Sequence, residues 1–136
     1  MTPGLSIGRV RAGVFAVLAA LWLTVPLLPG QVAVHFDLRG HPDRWTTPVR
    51  AAAEFSVAII AMVGMFVATA RLLPRVPPRW VNLPHRDEWL APPHRAATLG
   101  TLADWLRSMA LAISALFGWL WAMLLWAHHR SPLRLP

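Results

Sequence analysis

Met109-Ala-Leu-Ala-Ile-Ser-Ala-Leu-Phe-Gly-Trp-Leu-Trp-Ala-Met-Leu-Leu-Trp-Ala127 runs for 19 residues without one charged side chain. As an α-helix this stretch reaches about 28 Å, close to the ~30 Å hydrocarbon core of a bilayer. A helix is the form in which so apolar a segment satisfies its own backbone polar groups in lipid. Extended towards the N-terminus, the run becomes a span from Leu102 to Ala127. Asp104 and Arg107, three residues apart, are expected to pair at one membrane interface. Trp105 and Trp126 lie where aromatic-belt residues belong. His128, His129 and Arg130 close the helix at its negative pole, which favours cations.

Two earlier runs read the same way. Val10 to Leu28 has Arg9 and Arg11 at its start and Pro26 and Pro29 at its end. A signal peptide has this outline. The run is long for one, however, and no small-x-small cleavage site follows it, so it reads as an uncleaved span. Ala51 to Leu73 is entered by Arg50 and left by Arg71 and Pro74. Glu54 stands four residues after Arg50 on the same helical face, an interfacial anchor able to pair with it. The expected fold is therefore an all-α membrane protein. One membrane domain has three transmembrane helices, a structured outer loop at residues 29–50 and a proline-rich inner loop at 74–101.

Composition agrees. The chain has 136 residues, of which 56% are hydrophobic and 14% charged. It has no cysteine, so neither disulfide nor thiolate chemistry is open to it. The net charge of +7 comes from arginine alone, and the arginines flank the apolar runs instead of forming one stripe. That distribution marks membrane anchoring and argues against nucleic acid. With the N-terminus inside, Arg9, Arg11, Arg71, Arg75, Arg79, Arg86 and Arg95 fall inside, and Arg39, Arg44, Arg50, Arg130 and Arg134 outside. Seven against five favours that orientation, in a bacterial cytoplasmic membrane.

Rows of small residues at a four-residue step let helix backbones approach closely in lipid. The row most clearly a packing seam is Ala110, Ser114, Gly118 and Ala122, either within the chain or between copies. Lesser rows are Ala12, Ala16 and Ala20, and Ala52, Ser56, Gly64 and Ala68, the last interrupted by Ile60.

Chemistry must come from the loops. In the outer one, Val32 to Asp37 reads as extended, and Gly40-His41-Pro42-Asp43 as a turn. Trp45 is placed to pin the loop to the bilayer. His35, Asp37, His41 and Asp43 are metal-ligand types, but their spacing matches no established site. A solvated polar loop accounts for them, and no metal or other cofactor is expected. The inner loop carries Pro74, Pro77, Pro78, Pro84, Pro92 and Pro93, which preclude a long regular helix through it. Its arginines suit anionic headgroups, at about 1 kcal/mol each. By its residues alone this loop reads as a surface-lying connector; its functional alternative is a docking surface. No phosphate loop, H-E-x-x-H or acid–base pair occurs, so no enzyme is expected.

Leu28-Pro29, His35-Phe36, Gly40, Pro42-Asp43 and Trp45 together resemble the short signature of domain-of-unknown-function family 1648. Asn82-Leu83-Pro84 with Trp89-Leu90 and Arg95 is similar to the segment after the second span in stand-alone members. The resemblance covers about residues 15 to 95. It implies a bacterial membrane protein like the N-terminal part of Sdp-type immunity and signalling proteins. Those protect against a secreted peptide toxin and hold a cytoplasmic repressor at the membrane. The present chain is shorter than they are. The expected role is to bind or sense an extracellular peptide or envelope component and relay to a cytoplasmic regulator or another membrane protein. Ligand-binding candidates are His35, Phe36, Asp37, Gly40, His41, Pro42, Asp43 and Trp45. Docking candidates are Asn82, Leu83, Pro84, Trp89 and Arg95. The alternative is a small accessory subunit of a larger membrane complex, held through the Gly118 seam.

Overall fold

A computed structural model describes residues 6–129. Arg130 and Arg134, counted above for orientation, lie outside the described residues. Helix α1 is Ile7–Thr24, started by Ser6, whose hydroxyl accepts the Arg9 amide at 3.4 Å. It passes into a 3-10 turn at Val25–Leu27, where Pro26 ends the α-helical bonding. Strands β1, Val32–Phe36, and β2, Pro42–Thr46, form an antiparallel hairpin. Helix α2, Pro48–Leu72, begins at Thr47, whose hydroxyl accepts the Arg50 amide at 3.4 Å. A short helix α3, Arg86–Trp89, precedes the long α4, Pro92–His128. Among the described residues three helices are long and apolar enough to cross a membrane, and the fold is that of an all-α multi-pass membrane protein with a β-hairpin between the first two.

Two expectations are corrected. Pro92 and Pro93 do not stop helix formation; they begin α4 ten residues before Leu102. Proline breaks a helix interior, but in the first turn its missing N–H would be unbonded anyway. At 37 residues α4 is about 55 Å long, well beyond a ~30 Å hydrocarbon core. Its first turns therefore project past the apolar layer. The hairpin turn is also displaced. It lies at residues 37–40, with the Gly40 amide bonded to the Asp37 carbonyl at 3.0 Å and Gly40 at φ 77°. Gly40 supplies the left-handed conformation that a three-residue hairpin loop needs. Pro42 and Asp43 then sit at the start of β2, and a strand's first residue tolerates proline.

Helix α4 packs along both α1 and α2, which touch each other only briefly. Ala110 and Ser114 are fully buried, and a Cβ on Gly118 would stand 3.4 Å from Val17 of α1. A Cβ on Gly13 of α1 would run into the Leu111 side chain. The seam is thus covered within the chain, between α4 and α1. Ala122 lies off it, exposed, and Trp121 is buried in its place. Of the lesser rows, Ala12, Ala16 and Ala20 are exposed, as are Gly64 and Ala68, whereas Ala52 is buried.

Towards the hairpin, Leu21, Val32, Ala51, Ala52, Ile59, Trp121 and Leu124 make the main core. Side-chain bonds fasten the helices there. Trp22 Nε1 donates to Ser56 Oγ at 3.0 Å, and Trp121 Nε1 to Thr24 Oγ1 at 2.8 Å. At the opposite end Leu73, Leu90 and Leu99 form a second cluster under the proline-rich loop.

Candidate functional site

Register places Ala33 opposite Trp45 and His35 opposite Arg44, with irregular pairing between them. From Val34 onward the expected alternation holds: Val34 and Phe36 are half-buried, His35 and Asp37 exposed. The turn is organised by Asp37. Its Oδ1 accepts the Arg39 and His41 amides, each at 2.8 Å. The His41 amide chiefly holds the Asp37 carboxyl below the usual aspartate range, against a smaller desolvation effect, with the Arg39 amide assisting.

The four candidate ligands separate into two pairs. His35 Nδ1 lies 2.6 Å from Asp43 Oδ1, and His41 Nδ1 lies 3.6 Å from Asp37 Oδ2. Among the described residues no three His, Cys, Asp or Glu groups are placed to share an ion. A second link joins the hairpin to α2: Glu54 pairs with Arg50 at 3.1 Å, as expected, and reaches Arg44 of β2 at 3.9 Å. These side chains are well exposed, so the link orients more than it stabilises.

The hairpin is docked on the bundle by a contact 95 residues apart in sequence. The buried Ala33 amide donates to His128 Nε2 at 2.9 Å. His128 Nδ1 lies 2.8 Å from the Leu124 carbonyl oxygen, which can only accept. Nδ1 therefore carries the ring proton and Nε2 the lone pair. Trp45 meets the same ring edge-on, with centroids 6.4 Å apart, so Trp45 packs on α4 while keeping half its surface exposed. The sequence assigned His128 only to the helix pole.

Docking leaves a cleft of about 420 Å³ between β1, α2 and α4. Val34, His35 and Phe36 line one side; Phe55, Trp119, Leu120 and Met123 line the others. Its walls are apolar apart from His35, whose exposed ring is paired with Asp43. Sequence reasoning found His35 and Phe36 and missed the helical residues. In spans that are apolar all round, no periodic signal separates a cleft wall from a lipid-facing side chain.

At the far end Leu83 is half-buried against Leu73, Leu90 and Leu99. Arg95 Nη2 donates to the Pro74 carbonyl at 3.5 Å, tying α4 to the end of α2. Thr98 Oγ1 donates to the Trp89 carbonyl at 3.0 Å. Asn82, Pro84 and the Trp89 ring remain exposed. Of the docking candidates, then, Leu83 and Arg95 hold the loop in place, and the other three face outward.

Residues 12–60 match the family model described as Domain of unknown function (DUF1648). The match takes in α1 from Ala12 onward, the whole hairpin and the first half of α2, and ends before the Asn82 motif and α4. No curated protein and no solved structure matches the chain.

Proposed function

We propose, for a chain whose residues 12–60 match the DUF1648 family model, that the hairpin cleft takes an extracellular peptide or envelope component and that α4 relays its binding. The role is immunity-like or signalling-like. The observation that carries this reading is the apolar cleft beneath a docked hairpin, lined on one side by His35, which is paired with Asp43. Apolar walls with a few placed polar groups are the usual make-up of a ligand site. Trp119, Leu120 and Met123 of the cleft belong to the same helix that carries Leu99 under the proline-rich loop. A ligand that shifts α4 at one end acts on the other, where exposed Asn82, Pro84 and Trp89 offer contacts to a cytoplasmic or membrane partner.

Arginine bias favours the N-terminus inside and the hairpin outside. Native cysteine is absent, so single cysteines label cleanly. Leu38 at the hairpin tip and Pro78 in the other loop are both exposed. In intact cells, Leu38→Cys is expected to react with a membrane-impermeant thiol reagent and Pro78→Cys to be protected. Labelling of Pro78→Cys alone would invert the protein and end the extracellular-ligand reading.

A further inference from the structure

Because α4 takes up most of the packing, α1 and α2 leave a separate cleft of about 350 Å³ between themselves. It is bounded by residues 7–18 of α1 and 60–71 of α2, about 17 Å of each helix. Val14, Leu18 and Val63 make apolar walls. Midway along, nothing lies within 4 Å of the place a Cβ on Gly64 would occupy, so the backbone there deepens the cleft. Two cations, Arg11 and Arg71, line one end. Among the described residues neither guanidinium has a hydrogen-bond or ion-pair partner. Among the described residues the Arg9 guanidinium, which does not line the cleft, has no such partner either, whereas Arg107 is paired with Asp104, and Arg75 and Arg95 reach backbone carbonyls.

In a bilayer, an unfilled apolar gap forfeits dispersion contacts along its whole length. A second protein helix is about 10 Å wide, and seating it here would press two unpaired charges against it without an acidic partner. A phospholipid satisfies both ends at once. Its acyl chain is narrow and apolar, and its phosphate accepts the forked donors of arginine. Basic pockets between membrane helices hold anionic headgroups in this way. The geometry points to an anionic-phospholipid site, with an acyl chain lying along the α1–α2 cleft past Gly64 and the headgroup phosphate held by Arg11 and Arg71. The site does not depend on the hairpin cleft or on which side the N-terminus faces.

The test is native mass spectrometry of the full chain, released from bilayers holding equal phosphatidylglycerol and phosphatidylcholine with the same acyl chains. The monomer is expected to retain one phosphatidylglycerol, preferred by about thirtyfold, the combined strength of two arginines near an anionic headgroup. Arg11→Gln with Arg71→Gln brings the preference close to parity. Arg39→Gln, which removes a hairpin charge, leaves it in place. Gly64→Leu fills the cleft and lowers retention of either lipid, while the protein stays monomeric. Equal retention of the two lipids by the unmodified chain overturns the site. So does an equal loss from Arg39→Gln, which would make net charge the cause. A lipid-free dimer that Gly64→Leu disrupts assigns the cleft to a second copy. If the double arginine variant fails to insert, the headgroup comparison and Gly64→Leu decide the matter.

Discussion

Replacing Trp121 with alanine is expected to cost the folded bundle about 3–5 kcal/mol, the range for deleting a large buried aromatic. Trp121 is only 3% exposed and stands where all three long helices meet. Its ring lies edge-on to Phe55 of α2, with centroids 5.4 Å apart, and its Nε1 donates to Thr24 of α1 at 2.8 Å. Lipid gives helices no hydrophobic drive to associate, so packing of this kind carries the assembly. Trp121→Phe separates the two contributions. It keeps most of the ring contact and loses the hydrogen bond, which in a membrane averages about 0.6 kcal/mol. Unfolding by steric trapping in bicelles measures both. An alanine variant within about 1 kcal/mol of the parent would mean that the three helices do not converge on this side chain.

The second large effect belongs to His128. His128→Ala leaves the buried Ala33 amide without an acceptor, a penalty of about 1–3 kcal/mol. It also removes the ring against which Trp45 packs. An isolated two-stranded hairpin is at best marginally stable, so the loss falls on docking, not on a reserve of hairpin stability. Amide exchange at Ala33 and its neighbours in residues 32–46 is expected to accelerate by about ten- to a hundredfold, with exchange in α2 unchanged. His128→Gln places an amide oxygen near the former Nε2 position and is expected to recover most of the protection. Hydrogen exchange in lipid nanodiscs resolves the three proteins. Unchanged exchange at Ala33 in His128→Ala would show that the hairpin is held by something else.

Much of the scaffold is legible in the chain because membrane helices obey a simple length rule. Met109 to Ala127 needs no tertiary information to be read as a span. Ser6 and Thr47 cap their helices by local bonds that do not depend on the rest of the fold. The family signature is legible for the same reason: His35-Phe36, Gly40 and Pro42-Asp43 are close in sequence, and the DUF1648 match covers them. The illegible features are those set by distance or by position within an element. Pro92-Pro93 looks like a barrier until its place in the first turn of α4 is known. Either Pro42 or Gly40 can punctuate a turn, and the Asp37 carboxylate, by accepting the Arg39 and His41 amides, selects the earlier one. His128 gives no sign in sequence that it serves Ala33. Phe55 and Met123 look like any other apolar residue of a span until the hairpin is laid across them.

The central claim is that the hairpin cleft receives a ligand from outside the membrane. A photo-crosslinking amino acid in place of Met123, inside the cleft, tests it most directly. The same group in place of Met65, on an exposed face of α2, is the reference. Both proteins are irradiated in intact cells, and their adducts are weighed. The account predicts lipid adducts at position 65 and, at position 123, a peptide or envelope component that is lost when His35 is replaced by alanine. Phospholipid alone at both positions would contradict it and return the cleft to ordinary bilayer surface.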